Sequence, residues 1–588
     1  MARSTTSTAS PFLLFLLSPS LLSVALSAEH RITDAQGLIE LSNNVSNGTD
    51  YSGTTVVLDS DIDFSGGYSE RFAPIGRDSF NYFLGAFDGQ GHTISNLKVN
   101  SSSENIGLFG NSPGITIQNV VIDGSCSFAS SYSSGDSSVG SIIGYCYSFD
   151  GPCTIEGVVN MGSVLLEGNT TGNALIGGIV GYTILSFNNP ITLKNCVNYG
   201  SVTHSGVCSG NYAHMGGIVG MSQGKSISYI SIQNCLNYGT IIHSGTSKNL
   251  AIGGIAGLGY YATFENCVSS GAISTNQESE CIGGILGGIT TDTNITHCFW
   301  TRDAGNVNVY GFNEDKVDVI NTSIATLDQA TLDELNRYIT EEKKDSTWSR
   351  WVMLHLNGGR INNISQQSLV EIQKHFPEPV REGNTFLFWC KDAVCGEVFD
   401  PETGDVSTLY AGWTPNNYTV TFDVNGGDEL PTPTRTVTFN TPYGELPTPK
   451  RTGFTFLGWF NDKNESVTGS TIVSTPNDHT LHAHWKETKP GYVEIVFGKK
   501  DMSEEEIKVI IKQYADTEEF TIIKIEDDGS GETKVIIKFT DINDATTFVE
   551  VAKTSSGEID IIKNIVLIDG INSFSLTLHP VMLLGLLF

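Results

Sequence analysis

Through the first half of the chain, apolar and polar positions alternate with a period of two, in short phrases interrupted by glycine. One phrase recurs in register: Ile106-Gly107-Leu108-Phe109-Gly110, Gly140-Ser141-Ile142-Ile143-Gly144, Gly177-Gly178-Ile179-Val180-Gly181, Gly216-Gly217-Ile218-Val219-Gly220, Gly253-Gly254-Ile255-Ala256-Gly257 and Gly283-Gly284-Ile285-Leu286-Gly287. It returns every ~30 to 40 residues, the spacing of solenoid repeats. A second phrase follows it, clearest as Ile191-Thr192-Leu193-Lys194-Asn195-Cys196-Val197-Asn198-Tyr199-Gly200 and Ile232-Gln233-Asn234-Cys235-Leu236-Asn237-Tyr238-Gly239, and looser at Phe264-Glu265-Asn266-Cys267-Val268. Period two puts Ile, Leu, Cys and Val on one buried strand face, and the glycines mark bends. No such unit buries its apolar face alone, so units must stack, and parallel strands piled along an axis satisfy backbone and core together. The pattern predicts a right-handed parallel β-helix, with Ile218 and Val219 in a strand and at least one of them buried. Cys196, Cys235, Cys267 and Cys298 then share one inward column, where parallel neighbours are badly aimed for a disulfide and buried thiols are expected. His204, His214, His243 and His297 recur loosely with the coils and are assigned to loops.

One early coil, Gly85-Ala86-Phe87-Asp88-Gly89-Gln90-Gly91-His92-Thr93-Ile94-Ser95-Asn96-Leu97, follows Asp61-Ile62-Asp63 and Ala73-Pro74-Ile75-Gly76. With the glycine phrases it resembles the GLUG-motif repeat proteins over about half the chain. The resemblance implies a β-helical exoprotein of cell surfaces and brings no catalytic residues.

A longer repeat runs from Trp351 to Trp485. Val352-Met353-Leu354-His355-Leu356-Asn357-Gly358-Gly359 aligns with Val420-Thr421-Phe422-Asp423-Val424-Asn425-Gly426-Gly427, and Phe386-Leu387-Phe388-Trp389 with Phe454-Thr455-Phe456-Leu457-Gly458-Trp459. Asn-Gly-Gly is a tight-turn signal because both residue types accept positive φ. Tyr443-Gly444-Glu445-Leu446-Pro447-Thr448-Pro449, Arg451-Thr452-Gly453-Phe454 and Gly458-Trp459-Phe460 closely resemble the internalin-type B repeat, also called the Listeria–Bacteroides repeat. That resemblance implies a small β-grasp-like fold used as a stalk or interaction module. The first unit lacks the Tyr-Gly pair and the glycine before Trp389. Cys390 and Cys395 occur only there, and an oxidising compartment leaves both a local disulfide and free thiols open.

From Tyr492 the pattern changes again. Strands over Val493 to Phe497, Thr521 to Ile525, Val535 to Phe539 and Ile561 to Leu567 alternate with helices, the first opened by a Ser503/Glu506 capping box and the second spanning Ile542 to Ala552. The order βαββαβ is ferredoxin-like. The fold class is thus mainly β: a signal peptide over 1–27, the β-helix over 28–320, a linker or cap over 321–350, two β-grasp-like repeats over 351–413 and 414–488, a ferredoxin-like α+β module over 489–570, and a hydrophobic tail over 571–588.

Arg3, the apolar runs Phe12 to Leu17 and Leu21 to Leu26, and the small residues Ala25-Leu26-Ser27 give the signal-peptide reading; a buried helix is the alternative. The tail from Phe574 is too short for a clear membrane span, and on an exported chain it reads as a signal exchanged for a glycolipid (GPI) anchor. Gly570 to Ser573 is preferred over Ser555-Ser556-Gly557 as the attachment region, because the latter would remove the last strand. A retained hydrophobic anchor is the rival.

Composition narrows the partners. The 33 Lys and Arg against 64 Asp and Glu leave a net charge of -31, which repels phosphate backbones and anionic lipid. Nucleic acid is excluded, membrane contact is confined to the C-terminal anchor, and an extracellular glycan or protein is the expected ligand. Asp59, Asp61, Asp63 and Glu70 imitate calcium-ligand spacing, but Phe64 stands where that loop needs glycine, so a solvated strand face is expected. His479, His482 and His484 lack a completing ligand and are expected as exposed strand histidines. No metal, cofactor or catalytic residue is assigned. Sequons at Asn44, Asn47, Asn100, Asn169, Asn294, Asn321, Asn363, Asn417 and Asn464 are candidate N-glycosylation sites, in about the number chance would give. Two functions remain: a surface adhesin or structural protein without catalysis, and a β-helix polysaccharide lyase or glycosidase. The second needs carboxylates converging on one coil, and acidic residues between Cys126 and Thr290 are sparse.

Overall fold

A computed structural model of the chain describes residues 28–77, 80–225, 230–277, 281–289, 292–301, 310–313, 318–320, 323–324, 329–343, 350–361, 368–372, 376, 378–400, 406–515, 520–527, 529, 531–555 and 562–568. The expected signal peptide and C-terminal tail, Asn321 and Asn363 lie outside them. The chain is mainly β and forms two compact units, 1–380 with 386–412, and 381–385 with 413–588.

In the first unit the central repeats trace five short strands each, as in Ile191–Lys194, Val197–Asn198, Val202–His204, Val207–Gly216 and Val219–Gln223. We call these positions A to E. Every strand pairs in parallel with its equivalent one repeat away: Ile191 with Ile230, Val197 with Leu236, Val202 with Ile241, Ala213 with Leu250 and Val219 with Ala256. Among the described residues the A ladder holds ten strands and the B ladder nine, each in sequence order along its ladder. This parallel stacking is compatible with a β-helix. One continuous apolar core runs from Ile32 to Trp300 inside it.

The recurrent glycine phrase is the corner between positions D and E. Gly177 ends one strand and Val180 begins the next. A Cβ at Gly177 would collide with the Val180 carbonyl oxygen and one at Gly178 with that of Gly217, so the corner excludes side chains there. Ile218 corrects the strand expectation. It sits in the corner and the strand begins at Val219, although both side chains are fully buried.

Ala35–Ser46 is a helix whose first turn is capped by the Asp34 carboxylate, which accepts from Gly37 N at 2.9 Å. Its Leu38, Leu41 and Val45 enter the coil core. Toward the other end, Gln329–Arg337 continues into a wider π turn, Tyr338–Lys343, and buries Leu332, Leu335, Tyr338 and Ile339.

The two longer repeats each form a small sheet. In the first, Trp351–His355 pairs antiparallel with Ser368–Ile372 and parallel with Thr408–Pro415. In the second, Asn417–Asp423 pairs antiparallel with Thr434–Thr438 and parallel with His479–Glu487, which also pairs with Phe454–Phe460. The predicted turns carry the required backbone, with φ of 47° and 83° at Asn357 and Gly358, and 46° and 83° at Asn425 and Gly426. Trp459 centres the core of the second repeat, among Val420, Phe422, Leu481 and Ala483.

The C-terminal segment folds as Gly491–Phe497, helix Glu504–Lys512, Phe520–Asp527, Thr533–Phe539, helix Ile542–Ser555 and Ile562–Ile568. The strand from Gly491 lies between those from Thr533 and Ile562, antiparallel to both. The Ser503/Glu506 capping box is formed in both directions. Ile507, Ile511, Phe548 and Val549 pack on Val493, Ile495, Ile537 and Phe539.

Candidate functional site: an aromatic face on the coil stack

Several residues that look chemical in the sequence hold the coils together. Asn195, Asn234 and Asn266 turn the corner between positions A and B at φ of 54°, 52° and 54°. Their amides chain from coil to coil: Asn234 Nδ2 donates to Asn195 Oδ1 at 2.7 Å, and Asn266 Nδ2 to Asn234 Oδ1 at 2.8 Å. A second buried chain runs from Asn160 to Asn198 to Asn237, at 2.8 and 2.9 Å. Beside the first chain, the thiols of Cys196, Cys235, Cys267 and Cys298 donate to the carbonyls of Lys194, Gln233, Glu265 and Thr296 at 3.2 to 3.4 Å. These four cysteines are buried and unbridged. Burial pushes the thiols of Cys196, Cys235 and Cys267 well up, which keeps them protonated.

The histidines depart from the loop expectation. His204, His214 and His243 lie in strands, and all four of the coil histidines are buried. Stacking explains it: His204 and His243 occupy one column and face each other at 5.1 Å, and His214 lies between Leu175 and Ala251 of the neighbouring coils. Burial, and then the neighbouring His243, depress His204 to about 4, and burial alone depresses His214 to about 4. His297 takes the corner position one coil beyond Asn266, at φ 51°, with its ring on Tyr338 at 3.9 Å.

The carboxylates of the first coils do not converge. Asp59 accepts from Arg31 at 2.6 Å, Asp61 from Thr93 N at 2.9 Å, and Asp63 from Asn96 Nδ2 at 2.8 Å, each to a different partner. In the second repeat, His482 lies between Asp423 at 2.9 Å and Asp462 at 3.1 Å, and His479 Nε2 meets the Tyr443 hydroxyl at 2.5 Å. His484 stacks on Phe460. All three histidines are half-buried and engaged, where exposed positions were expected. Among the described residues no group of three or more His, Cys, Asp or Glu is placed to hold a metal.

Among the described residues the E ladder carries an extended aromatic array on the coil surface that sequence reasoning missed. Tyr145 and Tyr182 are in register on adjacent coils and stack at 5.1 Å; Tyr147 stacks on Tyr145 at 5.1 Å and meets Tyr82 edge-on at 6.1 Å. The Tyr182 hydroxyl donates to Gln223 Oε1 at 2.5 Å. Past the strand ends, Phe149 and Phe187 meet edge to face at 4.9 Å while remaining 52% and 55% exposed. Phe149 rides the short loop from Tyr147 to Pro152, which a disulfide between Cys146 and Cys153 closes at its base. Burial pushes Tyr145 up to about 12, helped by the charge of Glu104 and by Tyr82; burial raises Tyr182, helped by Tyr145 and Asp136. Burial and the Tyr82 hydroxyl raise Tyr147, with a smaller contribution from Asp150. Rows of tyrosine ringed by carboxylates can offer ring surface, hydroxyls and acceptors to one ligand.

The second disulfide joins Cys390 and Cys395. Of the seven described sequon asparagines, Asn44, Asn47, Asn100, Asn169, Asn417 and Asn464 are exposed and Asn294 is half-buried, so six are open to modification. Among the described residues no helix is long and apolar enough to cross a membrane.

With the two small sheets in view, comparison with known proteins is direct. Residues 352–412 and 418–484 each match the Listeria–Bacteroides repeat domain. A protein of Evansella cellulosilytica that bears the provisional name of a membrane protein is 34% identical over 144 residues, 23% of this chain and 20% of that protein. Internalin H of Listeria monocytogenes is 35% identical over 97 residues, 16% of this chain and 17% of internalin H. The chain thus spans about a fifth of the length of these curated relatives. A solved structure from Bacteroides ovatus, provisionally named an immunoglobulin A1 protease, aligns over 53% of this chain and 87% of its own at 18% identity, with a TM-score of 0.38. A likeness that low carries no argument about function.

Proposed function

We propose that the protein is a secreted, cell-surface repeat glycoprotein that acts by binding an extracellular glycan or protein, without catalysis. The tandem pair of Listeria–Bacteroides repeats carries this reading, and the 35% identity to internalin H over 97 residues supports it. In it, the parallel ladders are a right-handed β-helix of the GLUG type that presents the ligand face. The two repeats are β-grasp-like spacers, and the C-terminal βαββαβ segment is a ferredoxin-like module. A signal peptide directs export, and a GPI anchor attached within Gly570 to Ser573 retains the chain on the membrane. Fold by itself assigns no activity, so binding has to be measured directly.

The test uses the whole chain expressed at a cell surface. Expected are adhesion of these cells to glycan-coated or protein-coated surfaces above that of cells lacking the chain, no release of reducing sugar, and shedding of the chain by a phosphatidylinositol-specific phospholipase. Recovery of a membrane-bound form still carrying the Val581 to Phe588 peptide would refute the lipid anchor.

A second reading, a polysaccharide lyase or glycosidase, draws on one observation. The Glu104 carboxyl is pushed up by partial burial and by the charge of Asp136, beside the tyrosine rows. Sugar release that disappears in Glu104→Gln would replace the first reading with this one.

A further inference from the structure

We infer that the E-ladder aromatic face binds a neutral, extended glycan, laid across successive coils from Phe149 and Phe187 onto the rows of Tyr145, Tyr147 and Tyr182. The inference rests on the binding reading above and names its ligand class.

Three observations carry it. Two phenylalanines on adjacent coils expose more than half their surface and touch each other, 52% and 55% at 4.9 Å, where water would ordinarily favour turning such rings inward. The disulfide between Cys146 and Cys153 fixes the loop that carries Phe149, so presenting its ring costs little ordering entropy on binding. Next to this pair the surface changes from bare ring to ring plus hydroxyl and amide: Tyr147, Tyr145, Tyr182 and Gln223 follow one another through stacking and a hydrogen bond. Sugars have the matching duality, with apolar C–H faces that rest on aromatic rings and hydroxyls that bond to phenols, amides and carboxylates.

Charge decides which glycan. Glu104, Asp136 and Asp150 all act on the tyrosines, and the chain as a whole carries -31. A sulfated or sialylated chain would meet repulsion at each step, whereas a neutral one uses the same carboxylates as acceptors. Lys225, which donates to the Ser186 carbonyl, is a cation at the edge of the face. Periodicity gives the last constraint. Equivalent strands repeat at about 4.8 Å along the stack, close to the length of one sugar in an extended chain, so a ligand that repeats itself can meet Tyr145 and Tyr182 in the same way.

The experiment takes the full secreted chain, a Phe149→Ala/Phe187→Ala double variant and a Leu457→Ala control, and measures binding to cellohexaose, laminarihexaose, chitohexaose and a heparin hexasaccharide. Both phenylalanines and Leu457 are exposed, so all three proteins should be secreted equally and unfold at the same temperature. Expected is binding of at least one neutral probe, unchanged in the control and weakened about ten-fold or more in the double variant. Neutral binding that survives the double substitution overturns the inference, as does binding of heparin alone. Should no oligosaccharide bind while the chain still adheres to purified, deglycosylated proteins, the glycan assignment falls and the binding reading stands. Adhesion to nothing overturns both.

Discussion

Inside the coil stack a buried asparagine bonds to its own equivalent one coil away; in the second repeat an asparagine bonds to a turn or strand of its own unit. Asn198 shows the first case, bonded to Asn160 on one side and Asn237 on the other. Asn425 shows the second, reaching across its own sheet to the Ala483 carbonyl at 3.1 Å from a left-handed turn. The difference teaches where to look for function. Within the stack, Asn, Cys and His repeat because stacking repeats, and the Asn amides and Cys thiols are bonded internally. The aromatic face does not recur in every coil, so stacking does not account for it.

The largest effect should come from a charge in the shared core. Val219 is fully buried between neighbouring coils, so Val219→Asp leaves an unpaired carboxylate where water cannot follow and costs roughly 4 kcal/mol or more. Folded, protease-resistant secretion of this variant would break the stacking scheme. Ile218→Asp, at the corner, should behave the same way, because the corner side chain is buried as completely.

Next in size is the amide chain. Asn198→Ala removes its bonds to Asn160, to Asn237 and to both backbone groups of Gly200, and should cost about 2 to 3 kcal/mol. Asn425→Ala, which loses one bond and a favourable left-handed residue, should cost about 1 to 2 kcal/mol. Denaturant unfolding followed by local hydrogen exchange separates the two, since the first should loosen coils on both sides of the substitution and the second only its own repeat.

Acid should then divide the two regions by sign. His204 and His214 are held neutral on folding at about 4, below the ordinary 6.5. Their contribution is complete above pH 6.5 and declines as pH falls from 6.5 toward 4, by up to about 3 kcal/mol for each. His482 is raised, by its bond to Asp423 first, so its contribution is present below pH 6.5 and is lost as pH rises through the raised value. Hydrogen exchange compared between about pH 7.5 and pH 5 should show Val202–His204 loosening in acid while His479–Glu487 does not. His204→Gln should remove much of the first effect.

Much of this was legible in the sequence for a physical reason. The glycine phrase could be placed because a D–E corner admits no Cβ at Gly177 or Gly178, and the turns at Asn357-Gly358 and Asn425-Gly426 because positive φ selects those residue types. Ser503 and Glu506 marked a helix start through a local, three-residue geometry. The coil histidines were misplaced because a polar residue in a strand ordinarily faces water, and only the stack supplies His243 against His204. The aromatic face was missed because Tyr82, Tyr145 and Tyr182 are far apart in sequence and meet only through the coil register. The disulfide between Cys146 and Cys153 spans the step from position E to position A, which no spacing rule flags.

The smallest effect, and a sharp test of the contrast, is thiol chemistry without unfolding. Cys196, Cys235, Cys267 and Cys298 are buried, and burial holds the first three well above the ordinary thiol range, so native alkylation at about pH 8 should leave the column unlabelled. Cys126, pushed up to about 12 by burial, should also resist, whereas Cys281 is only half-buried and should react first. Mild reductant adds one more site: Cys395 is half-buried and becomes labelled once its bond to Cys390 is cut, whereas Cys390, Cys146 and Cys153 are fully buried and should resist like the column. Peptide mass mapping reads every site at once. Labelling of Cys235 or Cys267 in native protein would show that the thiol column opens to solvent, and with it the claim that the stack bonds its own thiols internally would fail.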